Sequence, residues 1–321
     1  MTQPPAPAPS APVPQHHVPP DHVRIVEVGP RDGLQNDATH LTPAVRAELV
    51  TRLAASGLRE IEAVSFVHPQ RVPQMAGAEE VVTLARHALP ATDAPALIGL
   101  VLNERGFERA VSVGLRHVRY AFPVTEGFAR RNQNQTVEEA LALARTLVAR
   151  AREHDLQIGV VLATSFGCPF DGRVAPAHVL RVAEQVAQDA PDELVFADTI
   201  GVGNPVAVRE LLRGAVRFGV PGMRLGAHFH NTRNTGYANA VAAVESGATS
   251  LDSSVGGLGG CPFAPRATGN VATEDLAYLL REMGVHTGLD LASLTQTGEW
   301  LSRQLGHALP GMLAQAGDFP A

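Results

Sequence analysis

Short β-rich runs of apolar residues alternate along this chain with longer amphipathic stretches of helical length. The helix-like stretches include 43–57, 136–153, 176–188 and 273–284. Eight runs have the length and residue types of strands, and they are, in chain order, 23–29, 60–66, 96–102, 117–122, 156–163, 193–198, 224–230 and 249–255. Eight βα units over about 260 residues predict an α/β fold of the (β/α)8 TIM-barrel type.

Capping signals mark two of the helix starts. Thr136 followed by Glu139 has the spacing of a capping box. Thr273 is the predicted N-cap of the last barrel helix, and Glu274 suits its first turn. The remaining stretch, 285–321, predicts short capping helices at the C-terminus.

The alternative architecture is an open doubly wound sheet. No G-x-G-x-x-G motif follows the first strand candidate, and the strand count favours the closed barrel. Residues 1–20 are rich in Pro and Ala and lack the basic and apolar regions of a signal peptide, which predicts a disordered tail. We therefore expect a tail at 1–20 followed by one barrel domain at 21–321.

Composition narrows the possible partners. The 321 residues are 45% hydrophobic and 18% charged, as in a globular protein with a sizeable core. A net charge of −6 argues against nucleic acid or an anionic membrane as a partner, and no run approaches the roughly 18 apolar residues of a transmembrane helix. Two cysteines in so long a chain indicate a reducing compartment, and we expect a cytoplasmic protein.

All 26 basic residues are arginine, and the chain contains no lysine. A Schiff-base aldolase or a pyridoxal-phosphate enzyme needs a lysine amine, and so does a Walker-type phosphate loop. These three mechanisms are excluded. If this chain makes or breaks carbon–carbon bonds, a metal ion is the obvious electrophile.

The carboxyl ends of barrel strands hold the chemistry of this fold, and two histidines lie there. His228 and His230 are two residues apart on the seventh strand candidate, so strand alternation points both imidazoles to the same side. With Asp32 from the end of the first strand they form a set suited to a divalent first-row metal. The alternative is a pair of core or solvent histidines, which the placement at a strand end disfavours.

Arg31 and Glu62 lie at neighbouring strand ends. Arg31 beside Asp32 is either a rim ion pair or a permanent charge aimed at a developing oxyanion. Glu62 interrupts the apolar strand IEAVSF. A buried carboxylate there is costly unless it meets a cation, so we expect Glu62 to pair with Arg31 or with the metal shell.

Both cysteines occur in the string GCPF, at 167–170 and 260–263. Cys261 follows the glycines of GGLGG, which resist burial and permit motion. We interpret it as a thiol on a mobile arm that closes over the site. Cys168 lacks the glycine cluster, and we interpret it as structural.

Seven segments of the chain carry a resemblance to a known family. They are GPRDGLQN, IEAVSFVHPQRVPQM, GCPFDG, ADTIGVGNP, HFHNT, SSVGGLGGCPFA and ATGNVATEDL. In this order they resemble the 3-hydroxy-3-methylglutaryl-CoA lyase family of metal-dependent TIM-barrel enzymes, over residues 23–285. The glycine-flanked cysteine favours the lyase branch over the condensing synthases.

The resemblance implies a reaction and a role for each matching residue. The reaction is cleavage of 3-hydroxy-3-methylglutaryl-CoA to acetyl-CoA and acetoacetate, assisted by Mg²⁺ or Mn²⁺. Arg31 would bind the thioester side and stabilise the enolate, supported by Glu62. Cys261 would be the proton donor or acceptor. The implied metal ligands are Asp32, His228, His230 and Asn270, and Asp198 matches a further catalytic position.

The chain departs from the family pattern beside the site. Relatives commonly read HDTxG where this chain reads HNTRN, which introduces Arg233, and Arg266 stands where a small glycine is usual. We interpret Arg233 and Arg266 as substrate-binding cations for CoA phosphate or for a different acyl carboxylate, or else as rim residues. Another 3-hydroxyacyl-CoA is therefore an alternative substrate.

Two further alternatives come from other functional classes. One is a metal-dependent condensing enzyme or aldolase, although the stretch after the last barrel helix is too short for the regulatory region of such synthases. The other is a non-enzymatic acyl-CoA binder, which the intact metal set disfavours. Family likeness also implies a homodimer, and the reaction serves leucine degradation or ketone-body metabolism.

Overall fold

In the computed structural model, which describes residues 20–260 and 269–319, eight parallel strands close into a barrel. Each strand pairs with the next along the chain, and β1 pairs with β8 to complete the ring. The predicted (β/α)8 fold is confirmed. Residues 1–19 of the predicted tail lie outside the described residues, as do Cys261 and Arg266.

The strands agree with the sequence prediction to within three residues at every end. They are β1 Arg24–Glu27, β2 Glu60–Ser65, β3 Ala96–Val101, β4 His117–Pro123, β5 Gln157–Ala163, β6 Glu193–Asp198, β7 Arg224–Phe229 and β8 Ser250–Ser253. The agreement follows from burial, because both faces of a parallel barrel strand are covered and its sequence is a short apolar run.

Eleven α-helices occur among the described residues. They are α1 Pro43–Ala55, α2 Ala78–Ala88, α3 Glu104–Ser112, α4 Glu126–Gln133, α5 Val137–Glu153, α6 Pro176–Gln188, α7 Pro205–Val216, α8 Gly236–Val244, α9 Thr273–Glu282, α10 Leu291–Leu305 and α11 Leu313–Ala316. Of these, α1 to α9 follow the strands, two of them after β4, and α10 and α11 form the predicted C-terminal addition. None of the described helices is long and apolar enough to cross a membrane.

The two predicted caps have different outcomes. Thr136 and Glu139 form the reciprocal capping box at the start of α5. Thr273 is the first helical residue of α9 and not its N-cap. Its hydroxyl instead donates to Glu27 over 2.6 Å, because both residues are fully buried and the carboxylate at the end of β1 needs a donor there.

The C-terminal helices support the segment that follows β8. Gly311, just before α11, donates its backbone N–H to the carbonyl of Gly256 over 2.8 Å. The side chain of Leu309 lies so close to Gly256 that a Cβ there would meet it at 2.3 Å. The chain end therefore packs against the glycine-rich segment that leads to Cys261.

Candidate active site

A cleft of about 410 Å³ opens at the carboxyl ends of the strands. Its lining includes a charged wall and an apolar wall, together with polar residues such as Arg71, Asn132 and Gln133. The charged wall contains Arg31, Asp32, Glu62, His228, His230 and Asp252, from β1, β2, β7, β8 and the turns that follow them. The apolar wall contains Leu100, Ala121, Phe122 and Val161, from β3, β4 and β5. This division suits a ligand with one charged end and one apolar end.

Three predicted metal ligands meet on the charged wall. Asp32, His228 and His230 each offer a ligand atom, and these atoms lie within 4.8 Å of one another. Asp32 lies in a tight helical turn, Gly29–Gly33, directly after β1. The two histidines point to the same side of β7, as alternation along the strand predicts.

Asn270 joins this group through backbone pairing. It forms a short antiparallel bridge with His230, and its amide donates to Asp32 over 2.9 Å. The amide oxygen is buried and has no hydrogen-bond partner among the described contacts. A buried acceptor without a donor is costly, and oxygen and imidazole ligands suit a hard or borderline divalent cation. The residues present therefore fit such a cation.

Charges set the protonation of the cluster. Burial alone would raise the pKa of Asp32, but Arg31 and the two histidines hold that pKa well below its usual value. Burial lowers the pKa of His230 to about 4. Burial acts in the same direction on His228, but its hydrogen bond to Asp252 and the charge of Asp32 raise its pKa. Asp32 is thus an anion and His230 a neutral ring at neutral pH, the forms that ligate metals.

Arg31 connects the metal ligands to Glu62. Its guanidinium bonds Asp32 over 2.7 Å through one nitrogen and Glu62 through another. Glu62 is buried, and the predicted pairing with Arg31 is confirmed in the structure. Held on two sides, the guanidinium presents a fixed positive charge to the cleft beside the metal ligands.

Beneath the cleft lies a charged layer that the sequence did not predict. Arg119 of β4 is fully buried and bonds Asp252, Glu193 and Glu62. Burial would lower the pKa of Arg119, but these three carboxylates raise it well above its usual value. The sequence signal that could have indicated this layer is a charged residue in the middle of a strand candidate. Arg119 in HVRYAF and Asp252 in TSLDSSV are of this kind.

The glycine-rich segment after β8 is held by buried carboxylates. Gly256, Gly257 and Gly259 all have φ values in the left-handed region, which only glycine adopts readily. Glu274 accepts the backbone N–H of Gly256 over 3.0 Å. The expectation that these glycines resist burial is wrong for Gly256 and Gly257, which are buried because the residues before α11 pack against them. The described part of the segment ends at Gly260, which lines the cleft.

Asp198 and Arg233 do not face the cleft. The carboxylate of Asp198 accepts the N–H groups of Val202 and Gly203 in its own loop, over 2.9 and 2.8 Å. Arg233 donates to two backbone carbonyls of that same loop. Both side chains therefore shape the loop after β6.

Cys168 is buried beside the turn that follows β5. Its sulfur accepts the N–H groups of Phe170 and Asp171 over 3.4 and 3.3 Å. These contacts fit the structural role that the sequence predicts for this cysteine.

The chain is similar to known proteins over most of its length. The HMGL-like family model matches residues 22–301. An (R)-citramalyl-CoA lyase of Chloroflexus aurantiacus is 44% identical over 92% of this chain and 95% of its own. A hydroxymethylglutaryl-CoA lyase of Pseudomonas mevalonii is 42% identical over 89% of this chain and 93% of its own. The structure of an HMG-CoA lyase of Acinetobacter baumannii, in complex with coenzyme A and 3-methylmalate, superposes with a TM-score of 0.86 at 34% identity, covering 94% of this chain and 98% of that one.

Proposed function

The chain belongs to the HMGL-like family and is a carbon–carbon lyase, and we propose that it cleaves 3-hydroxy-3-methylglutaryl-CoA to acetyl-CoA and acetoacetate. The observation that carries this proposal is the cluster of Asp32, His228 and His230 beside the Arg31–Glu62 pair. A divalent cation and a permanent positive charge side by side suit a substrate with a hydroxyl, a carboxylate and a thioester.

The proposed ligands of the cation are Asp32, His228, His230 and Asn270. When bound there, the cation supplies Lewis acidity that lowers the pKa of the tertiary hydroxyl of the substrate. The hydrogen bond between His228 and Asp252, at 3.2 Å, fixes the ring, and its other nitrogen would be the one that ligates the cation. We propose Mg²⁺ or Mn²⁺.

Arg31 binds the thioester oxygen in this proposal. Breaking the bond between C2 and C3 places negative charge on that oxygen as the acetyl-CoA enolate forms, and a fixed guanidinium stabilises it. Glu62 keeps the guanidinium in place from behind. The apolar wall of β3 to β5 then faces the methyl group and the adjoining carbon chain.

The reaction needs one proton removed and one delivered. The hydroxyl proton passes to water as the carbinol carbon becomes the ketone of acetoacetate, and C2 of the enolate takes up a proton to give acetyl-CoA, so that no net proton is gained or lost. We propose that the thiol of Cys261 is the proton donor at C2. Gly256 and Gly257 are buried, so we propose that the arm turns at the half-buried Gly259 and Gly260 to close over the cleft, and the contact of Gly260 with the cleft supports this direction.

A second candidate substrate is citramalyl-CoA, because a lyase of that name is 44% identical to this chain. Citramalyl-CoA lacks one methylene between the carbinol carbon and the carboxylate, and its products are acetyl-CoA and pyruvate. The bond that breaks and the enolate that Arg31 meets are the same. Specificity therefore depends on where the carboxylate of the acyl group lies. We propose that Arg266 contacts this carboxylate directly. Arg233 would act on it indirectly, through the loop after β6 that it holds.

The deciding experiment supplies the purified full-length protein with each thioester in turn and measures acetyl-CoA, acetoacetate and pyruvate. We expect Mg²⁺ or Mn²⁺ to support release of acetyl-CoA with acetoacetate, and EDTA to abolish it. Pyruvate in place of acetoacetate would transfer the assignment to citramalyl-CoA. Release of neither ketone by the metal-loaded protein would contradict both substrates.

The two cysteines provide a matched pair of variants. We expect Cys261→Ala to lower kcat on the order of a hundredfold or more, because it removes the proton donor. Cys168→Ala removes the same sulfur atom at a position that does not line the cleft, and we expect its kcat to equal that of wild type. Equal kcat values for the two variants would contradict the role of Cys261.

Other properties follow from the family likeness and stay predictions. We expect a homodimer, which light scattering of the purified protein would test. A role in leucine degradation or ketone-body metabolism is expected on the same ground, and a cytoplasmic location is expected from the low cysteine count.

A further inference from the structure

We infer that Arg119 is a positioning residue that holds the metal-binding half and the thioester-binding half of the site in one arrangement. The inference rests on the proposed function. Arg119 does not line the cleft, so it acts through the residues it contacts.

Arg119 is the centre of the charged layer beneath the cleft. One guanidinium nitrogen donates to both oxygens of Asp252 at 2.9 Å and lies 3.5 Å from Glu62. The other two donate to Glu193 over 2.7 and 3.2 Å. The planar fork of arginine makes these contacts at once, which a lysine ammonium on a flexible stem does not reproduce.

The contact with Asp252 leads to the metal ligands. Asp252 accepts from His228 over 3.2 Å, and Arg119 holds both carboxylate oxygens in the orientation that this bond requires. Such partners fix the ring of a metal-ligating histidine, and their loss typically costs about 10- to 100-fold in metal affinity. Arg119 is one residue further away, so we expect a smaller effect.

The contact with Glu62 leads to the thioester. Glu62 bonds Arg31 with one oxygen and faces Arg119 with the other. Without Arg119, Glu62 would keep only one cation and the Arg31 guanidinium would lose its fixed support. The two halves of the site therefore share one buried residue.

The interior of the barrel leaves room for this arginine. A Cβ at Gly159 on β5 would meet the Cγ of Arg119 at 3.1 Å and the carboxylate of Glu193 at 3.2 Å. An alanine at 159 would therefore press on Arg119 and Glu193, which would have to shift by a few tenths of an ångström. The glycine on β5 and the arginine on β4 thus form a matched pair.

The test compares two buried arginines in the full-length protein. Arg119→Gln and Arg119→Lys alter the charged layer, and Gly159→Ala displaces Arg119 without removing it. Arg46→Gln is the control, because Arg46 is also buried but contacts Ala76 and Met75 away from the cleft. Binding of Mn²⁺ is followed by electron paramagnetic resonance and binding of acetyl-CoA by calorimetry, with the thermal midpoint of each variant recorded.

We expect Arg119→Gln to weaken both Mn²⁺ and acetyl-CoA binding, each by about fivefold, which is less than the loss of a direct partner costs. Arg119→Lys and Gly159→Ala should weaken both by less, and Arg46→Gln should change only the thermal midpoint. Asp252→Asn should weaken Mn²⁺ alone and Glu62→Gln acetyl-CoA alone. An Arg119→Gln protein that does not fold leaves Gly159→Ala as the deciding variant.

The outcomes separate this inference from the proposed function. Wild-type protein that binds neither Mn²⁺ nor acetyl-CoA would contradict the proposed function itself. Wild-type protein that binds both, with Arg119 and Gly159 variants that bind them as well as Arg46→Gln does, would overturn the inference alone. Loss of only one of the two affinities in the Arg119 and Gly159 variants would also overturn it, since the two halves would then be independent.

Discussion

Two groups of buried carboxyls lie within the same barrel, and they differ in whether they contact a cation. The cation-paired group, around Arg31 and Arg119, comprises Asp32, Glu62, Glu193 and Asp252. The cation-free group comprises Glu27 and Glu274, whose described contacts are with neutral donors: backbone N–H groups and, for Glu27, the hydroxyl of Thr273. All of these carboxyls are buried except that of Asp32, which is half-buried at the cleft.

The pKa values show what the cations change. Burial raises the pKa of Glu27 to about 7 and that of Glu274 to about 8. Burial acts in the same direction on Glu193, yet Arg119 and Arg224 lower its pKa to about 2. Asp32 and Glu193 of the cation-paired group, whose pKa values are lowered, therefore stay ionised, while Glu27 and Glu274 of the cation-free group hold a proton to much higher pH and support the backbone of the glycine-rich segment.

The largest expected effect comes from the cleft end of the cation-paired group. Asp32→Asn removes an anionic ligand of the proposed metal site, and the stabilisation it supports is worth several kcal/mol in the transition state. We expect kcat to fall about a thousandfold or more, with loss of Mn²⁺ binding. Turnover of the two thioesters and paramagnetic resonance of Mn²⁺ measure these changes.

The control for this variant is Asp37→Asn. Asp37 follows the same turn but pairs with His307 at the surface and does not line the cleft. It should keep both metal binding and turnover. Undiminished Mn²⁺ binding by Asp32→Asn would place the cation elsewhere.

The next effect separates the two groups by pH. The pKa of Glu274 is about 8 in the folded protein and 4.5 in a model peptide, so the folded state retains a proton that the unfolded state has lost between these pH values. The contribution of protonated Glu274 to the free energy of unfolding is complete below pH 4.5 and is lost as pH rises through about 8. Glu274→Gln, which stays neutral, should gain stability over wild type as pH rises, on the order of a few kcal/mol.

Denaturant unfolding at several pH values between 4.5 and 8 measures this difference. Glu193→Gln gives the opposite comparison. Its folded pKa of about 2 lies below this range, so its removal should destabilise the protein by a nearly constant amount throughout. Curves of the same shape for both variants would mean that cations do not divide the buried carboxyls as described.

Regular patterns made most of the fold and part of the site predictable. The eight strands are short apolar runs between amphipathic helices, and the metal ligands lie at strand ends where alternation gives their direction. Glu62 was expected to need a cation because it interrupts an apolar strand, and Arg31 is that cation.

The charged layer was not predictable in the same way. Which face of a buried parallel strand points into the barrel depends on the tilt of all eight strands, so the sequence around Arg119 does not show whether the side chain points in or out. The function of Thr273 likewise depends on Glu27, which is 246 residues away in the chain. Local capping rules cannot include a partner at that distance.

The smallest expected effect concerns the loop after β6, which Asp198 and Arg233 hold. The pKa of Asp198 is subject to influences found in both groups. Burial raises its pKa, while backbone N–H groups and the more distant charges of His228 and Arg233 lower it. Arg233 itself is exposed and holds the carbonyls of Ile200 and Gly201 at 2.9 Å.

We expect Arg233→Gln to lower the free energy of unfolding by about 1 kcal/mol, because it loses these hydrogen bonds, and to change acetyl-CoA affinity by less than about threefold. Arg71→Gln is the matched variant, since Arg71 lines the cleft, and it should weaken acetyl-CoA by about tenfold with little change in stability. Calorimetry and denaturant unfolding give both quantities for each protein. The reverse pattern, with acetyl-CoA weakened by Arg233→Gln and stability unchanged, would restore Arg233 as the substrate contact that the sequence suggests.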